Sequence, residues 1–165
     1  MKLARIFRHL TVPSWWSRRV FGRASLDAIA AAVAATETRH RGELRVAIEG
    51  PLHFAALWRG QTARQRAEEL FARLRVWDTA DNSGILIYVQ LVDRQVEILA
   101  DRGIAARVAA AEWQDICRRM EADFAAGRWL DGMLAAVGRA DALLVAHFPA
   151  QENNPNELPD RPLML

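Results

Sequence analysis

The hydrophobic positions follow two periods, and the switches between them lay out the elements. Leu26, Ile29, Ala30 and Val33 recur at helical spacing behind Ser25, which has the chemistry of an N-cap. Arg39, His40 and Arg41 fill the last turn, and Gly42 is placed to stop it. The period then falls to two. Leu44, Val46 and Ile48 alternate with Arg45, Ala47 and Glu49, which predicts a strand covered on one face and ended by Gly50-Pro51. Thr62 and Gln65 frame a capping box, and Ala67, Leu70, Phe71 and Leu74 give the stripe of a core-packing helix. Residues 85–92 are almost continuously apolar, the mark of a central strand buried on both faces. Asp93-Arg94 reads as a short turn, after which 95–100 returns as a third strand. Trp113, Ile116, Cys117, Met120 and Phe124 stripe a long helix ending at Gly127. A last helix over about 129–147 sends Leu130, Leu134, Val137 and Leu144 inward, and Pro149 ends it.

The element order is therefore α, β, α, β, β, α, α. A long helix-bearing connection between the first two strands makes them parallel with a right-handed crossover. The third strand returns as an antiparallel hairpin. This is an α/β chain, and the expected architecture is a three-layer α/β/α sandwich with a small mixed sheet, a Rossmann-like crossover plus a β-hairpin. Residues 1–24 form an N-terminal arm, 25–149 the folded domain, and 150–165 a tail. Three prolines and two adjacent asparagines predict irregular structure for that tail.

Composition narrows the classes. The chain has 165 residues, enough for one domain with a real core. Its single cysteine, Cys117, lies on the helical stripe, reads as core, and excludes an internal disulfide. No signal-peptide grammar and no apolar run of membrane-spanning length occurs. The net charge of +2 hides an uneven distribution. Lys2, Arg5, Arg8, Arg18, Arg19 and Arg23 occupy residues 1–26 with no acid among them, so the remainder is acidic. A uniform phosphate-binding face is not expected, and nucleic acid is not an expected partner.

Particular runs then carry a likeness. Arg66 to Phe71, Val76-Trp77-Asp78-Thr79, Asn82-Ser83-Gly84 into the central strand, Asp93-Arg94, and Ala100-Asp101-Arg102-Gly103-Ile104 together resemble the TPM domain family, over roughly residues 25 to 149. The resemblance implies an α/β/α sandwich, an acid-phosphatase activity, and in some members divalent-cation binding. Many members carry a signal peptide before the domain and a membrane helix after it. This chain shows neither, so it is similar to a compact bacterial cytoplasmic form.

Hairpin arithmetic sorts the polar residues. With Asp93-Arg94 as a two-residue turn, Gly84 faces Gly103 and Leu86 faces Asp101. Asp78, Asp81, Asn82, Asp101 and Arg102 then converge at one end of the hairpin, while Asp93 lies about 26 Å away at the other. Carboxylates and an amide carbonyl are hard oxygen ligands. Asp78, Asp81 and Asp101 are therefore the candidate metal ligands, for Ca2+ or Mg2+. Asn82 and Arg102 are candidates for holding a ligand such as a phosphate ester, with Arg102 gripping it by two prongs. Asp and Asn before Gly are equally ordinary turn residues, and both readings stand. A second candidate end, at the carboxyl ends of the parallel strands, holds Glu49, Gly50, Pro51, Asp93 and Arg94. Trp77 and Trp113 read as packing anchors.

The arm suggests a further role. Leu3, Ile6, Phe7 and Leu10 fall on one helical stripe among basic residues, and Trp15 and Trp16 stand beside Arg18 and Arg19. Interfacial membrane helices use this chemistry. The functions expected are thus a module that binds a divalent cation or a protein partner, with peripheral contact to the inner face of the membrane, or, as the alternative, a metal-assisted phosphatase acting on phosphate monoesters.

Overall fold

The computed structural model describes residues 2–151 and 156–165; the adjacent asparagines at 153 and 154 lie outside them. The helices in chain order are α1 (Lys2–Thr11), α2 (Trp15–Val20), α3 (Arg23–Glu37), α4 (Phe54–Arg59), α5 (Ala63–Arg73), α6 (Arg102–Ala105), α7 (Ala110–Ala125) and α8 (Trp129–His147). The strands are β1 (Leu44–Glu49), β2 (Ile85–Gln90), β3 (Gln95–Ala100) and β4 (Leu163–Met164), in the order β3-β2-β1-β4. β1 runs parallel to β2 and to β4, and β3 is antiparallel to β2.

Strand alternation builds the layers. Val46, Ile48, Ile85, Ile87, Val89, Val96 and Ile98 face one side and pack on α3, α7 and α8 through Ile29, Val33, Ile116, Met120, Val137 and Leu144. Ala47, Leu86, Tyr88 and Leu99 face the other side, where α5 brings Ala67 and Leu70. The result is the α/β/α sandwich with the mixed sheet, crossover and hairpin that the patterning predicts. Thr62 caps α5 with the full reciprocal box: Gln65 N–H donates to Oγ1 at 3.1 Å, and Gln65 Oε1 accepts from the Thr62 N–H at 3.0 Å.

Several details depart from expectation. α3 begins at Arg23 with Gly22 as its N-cap, so Ser25 lies inside the helix. β1 is covered on both faces, with Arg45 and Glu49 buried. The cover over Arg45 is the tail: its guanidinium donates to the carbonyls of Pro159 (2.6 Å) and Arg161. Leu158 packs against the α5 face, and β4 extends the sheet beside Ala47 and Ile48. Trp77 is half exposed at 49%, while Trp113 is buried. No helix among the described residues is long and apolar enough to cross a membrane.

Candidate functional site

The hairpin brings the two polar runs together, through a register different from the one the sequence suggests. Ile85 pairs with Ala100 and Gln90 with Gln95, so the connection is the four residues 91–94. Leu86 therefore faces Leu99. Two-residue hairpin turns want positive φ at their first central residue, whereas here Arg94 and not Asp93 adopts it, at 53°. The slip is by two, which leaves every side chain on its expected face.

At the corner, Asp101 N–H donates to Gly84 O at 2.8 Å, and Gly103 N–H to Asn82 O at 2.9 Å. Asn82 adopts a left-handed φ of 52°, and its Oδ1 accepts from Arg102 Nε at 2.9 Å. Asp101 Oδ1 accepts from the Arg102 N–H at 2.7 Å as the cap of α6. Its Oδ2 is buried without a hydrogen-bond partner. Asp81 accepts from Arg41 Nη1 at 2.6 Å, and Asp78 pairs with Arg75. The fold thus gathers Asp81, Asn82, Asp101 and Arg102, while Asp78 is drawn to an arginine three residues before it. No group of three His, Cys, Asp or Glu side chains among the described residues is arranged to hold a metal ion.

The glycines here answer to backbone crowding. A Cβ on Gly84 would lie 1.9 Å from Val76 O, and one on Gly103 would lie 2.5 Å from Asp81 O. Both positions need glycine for the chains to pass, whatever the corner binds.

The opposite end, at the carboxyl ends of β1 and β2, holds the more heavily buried charges. Glu49 accepts from Arg66 Nη2 (2.7 Å) and Nε (3.0 Å) and from Tyr88 Oη (2.6 Å). Those bonds to Glu49 push Arg66 up from its ordinary value. Burial first, and Glu49 second, push the Tyr88 phenol up as well. Tyr88 therefore stays a hydrogen-bond donor. Asp93, in the 91–94 turn, receives Arg5 Nε at 2.8 Å and Arg8, and lies 3.1 Å from His9 Nε2. Burial acts to raise Asp93, but the hydrogen bonds from His9 and Arg5 outweigh it and hold the carboxyl well below the usual range. His9 Nδ1 accepts from the Leu52 N–H at 3.0 Å, and Arg5 Nη1 donates to Gln61 O at 2.7 Å. This clasp fastens α1 to the sheet. Sequence patterning placed Asp93 at this end but did not link it to Arg5, Arg8 and His9.

α1 packs beside α4, with Ile6 joining Leu52 and Leu57 in a small core of their own. The rest of the predicted stripe faces outward: Leu3, Phe7 and Leu10 are 77%, 71% and 63% exposed. On α4, Phe54 and Trp58 are 54% and 65% exposed, with rings stacked at 5.8 Å. No sequence pattern singled out these two, because α4 is only six residues long.

A sandwich domain of this kind, with one crossover, one hairpin and charged clusters at the two ends of the central strands, defines the class: a small α/β domain with a mixed sheet. The chain belongs to the TPM domain family, whose model matches residues 17–143. Its structure is similar to that of the BA42 protein from the psychrophilic bacterium Bizionia argentinensis, solved by NMR. The TM-score is 0.75 at 25% identity, covering 86% of this chain and 93% of that one. No curated protein matches the chain.

Proposed function

We propose that this TPM domain is a binding module that docks on an anionic membrane surface through α1 and α4. The observation that carries the reading is the five large apolar side chains, Leu3, Phe7, Leu10, Phe54 and Trp58, standing open on two helices packed together. Scattered exposed hydrophobics need no explanation, but stripes at i, i+4 and i+7 on one helix and i, i+4 on its neighbour are a patch. Cations lie near it in the sequence. Arg18, Arg19 and Arg23 in the same N-terminal segment, and Arg59 beside Trp58, are exposed and have no acidic partner among the described residues. Each guanidinium near an anionic bilayer contributes about 1 kcal/mol, and each inserted aromatic, removing roughly 100 Å² from water, about 2.5 kcal/mol.

Deleting the arm is a poor test, because Ile6, His9 and the Asp93 partners would leave with it. Phe7→Ser with Trp58→Ser changes only the open side chains. Sedimentation of the full chain with phosphatidylglycerol-containing vesicles should show binding that falls at least tenfold in the double variant and weakens on pure phosphatidylcholine. Equal sedimentation of wild type and variant would sink the proposal.

A cation at the 78–102 corner is a second reading, favoured by the buried, unpartnered Asp101 Oδ2. Ca2+ or Mg2+ would be held by Asp101 with Asp81, at the expense of the Arg41 pair. Raised thermal stability on adding Ca2+, absent in Asp101→Asn, supports it; no shift in wild type removes it. Phosphoester hydrolysis rests on the family likeness alone, since the corner's Asp78 and Asp81 carboxylates are engaged by arginines.

A further inference from the structure

The outer edge of β3 opens into a cavity. β3 is the terminal strand of the sheet on that side. Asp101 and Gly84 form a close hydrogen-bonded pair in the hairpin, so Leu99, Glu97 and Gln95 point their backbone groups at β2. Val96, Ile98 and Ala100 must then point theirs outward. These same three residues line a cavity of about 500 Å³ walled by α5 and α7. Two outward N–H groups already face α7: Val96 N–H donates to Glu121 Oε1 at 3.1 Å, and the Ile98 N–H lies against the Cys117 thiol. The Ala100 N–H and the outward carbonyls of Val96, Ile98 and Ala100 have no partner among the described residues.

The walls add recognition chemistry. Trp113, 8% exposed, lines the cavity, and its buried Nε1–H has no acceptor. Arg64 stands on the α5 side and Arg118 on the α7 side. Each spends part of its donors, Arg64 on Glu68 at 2.9 Å and Arg118 on Asp115 at 3.3 Å. A guanidinium carries five N–H groups, so both can still take a carboxylate. Glu97 lines the same cavity, 3.8 Å from Arg64. Cys117 is a neutral thiol here, pushed up to about 11 by burial, so it acts as lining and not as a nucleophile.

A row of outward carbonyls and one free N–H, spaced along a strand, is matched best by another extended backbone. Val96 to Ala100 spans about 13 Å at strand rise, enough for some four residues. We infer that this groove binds a short extended peptide by strand addition to β3, with an acidic side chain reaching Arg64 or Arg118 and a small apolar one packing on Trp113. The site lies outside the α1–α4 surface and does not depend on it.

The probe is an array of capped hexapeptides that alternate acidic and small apolar residues, followed by titration into the 15N-labelled full chain. The expected result is a binder that shifts the amides of Val96, Ile98 and Ala100 and is weakened about tenfold by Arg118→Glu. N-methylating the peptide at alternate residues supplies a control that cannot unfold the protein. One phase of methylation should abolish binding and the other should leave it. Binding indifferent to both phases, or no shift from any array peptide at about 1 mM, overturns the inference. Concentration-dependent shifts of the same amides without peptide would overturn it too, by assigning the edge to a second copy of this chain.

Discussion

The Asp93 clasp can be tested by Asp93→Asn. α1 has ten residues and no acid in its first turn, so it is marginal as an isolated helix and owes its place to docking. Two things dock it: Ile6 against Leu52 and Leu57, and the cluster of Arg5, Arg8 and His9 around a carboxylate that is 4% exposed. Breaking a buried ion pair by removing one partner costs about 3–5 kcal/mol. Arg5 and Arg8 keep 23% and 53% exposure, so water recovers part of that, and about 2 kcal/mol is the expected loss. That is roughly a thirtyfold shift in the opening of α1. Amide hydrogen exchange should show protection across 2–11 falling by about that factor, with β1 and β2 unchanged. The pH dependence has a definite sign. Asp93 is held below its ordinary 3.8, so its contribution is present above that pH and lost as pH falls further. The gap between wild type and variant should narrow in acid. Exchange across α1 that stays within twofold of wild type at neutral pH would show that the clasp does not hold the helix.

Other consequences follow from single positions. Gly84→Ala should cost about 3 kcal/mol or more in urea unfolding, because its Cβ would meet a main-chain carbonyl at 1.9 Å. Gly138→Ala, in α8 with nothing within 4 Å of the new Cβ, should be neutral or gain up to about 1 kcal/mol. Asp101→Ala should cost about 1 kcal/mol in cation-free buffer, through the lost α6 cap. Glu43→Gln should flatten part of the pH profile of urea stability between pH 4.5 and 7, as argued below.

The fold was legible where burial follows period. The 85–92 run, the capping box at Thr62 and the helical stripes each state a local preference that the tertiary structure keeps. The sequence misleads where polar residues are buried by distant chain. Arg45 and Glu49 gave β1 the alternation of a half-exposed strand, yet one is covered by a tail more than a hundred residues later and the other by Arg66. Periodicity likewise cannot tell which edge of a stripe turns inward, and in α1 only Ile6 does. The corner of Asn82 and Arg102 was found despite a wrong register, because a slip of two preserves the faces. Asp93 was placed at the correct end, but its partner Arg5 lies 88 residues away, and no local pattern joins them.

Both terminal segments are held by a buried carboxylate at one end of the central strands, and the two work in opposite senses. Glu43, just before β1, accepts from the N–H groups of Glu157 (3.1 Å) and Leu158 (3.2 Å) and so pins the returning tail. Burial outweighs those two bonds and pushes Glu43 up to about 7. A carboxyl raised in the folded state contributes fully below its unfolded value of 4.5, and that contribution is lost as pH climbs to about 7. The rise corresponds to about 3 kcal/mol. Glu37, raised to about 7 first by burial and then by its bond to Asp160 in the same tail, adds slope of the same sign. Acid therefore loosens α1 through Asp93, while pH above neutrality strains the tail through Glu43 and Glu37. If that pairing is correct, hydrogen exchange should open α1 first in acid and residues 156–165 first in alkali, and Glu43→Gln should reduce the second effect without touching the first.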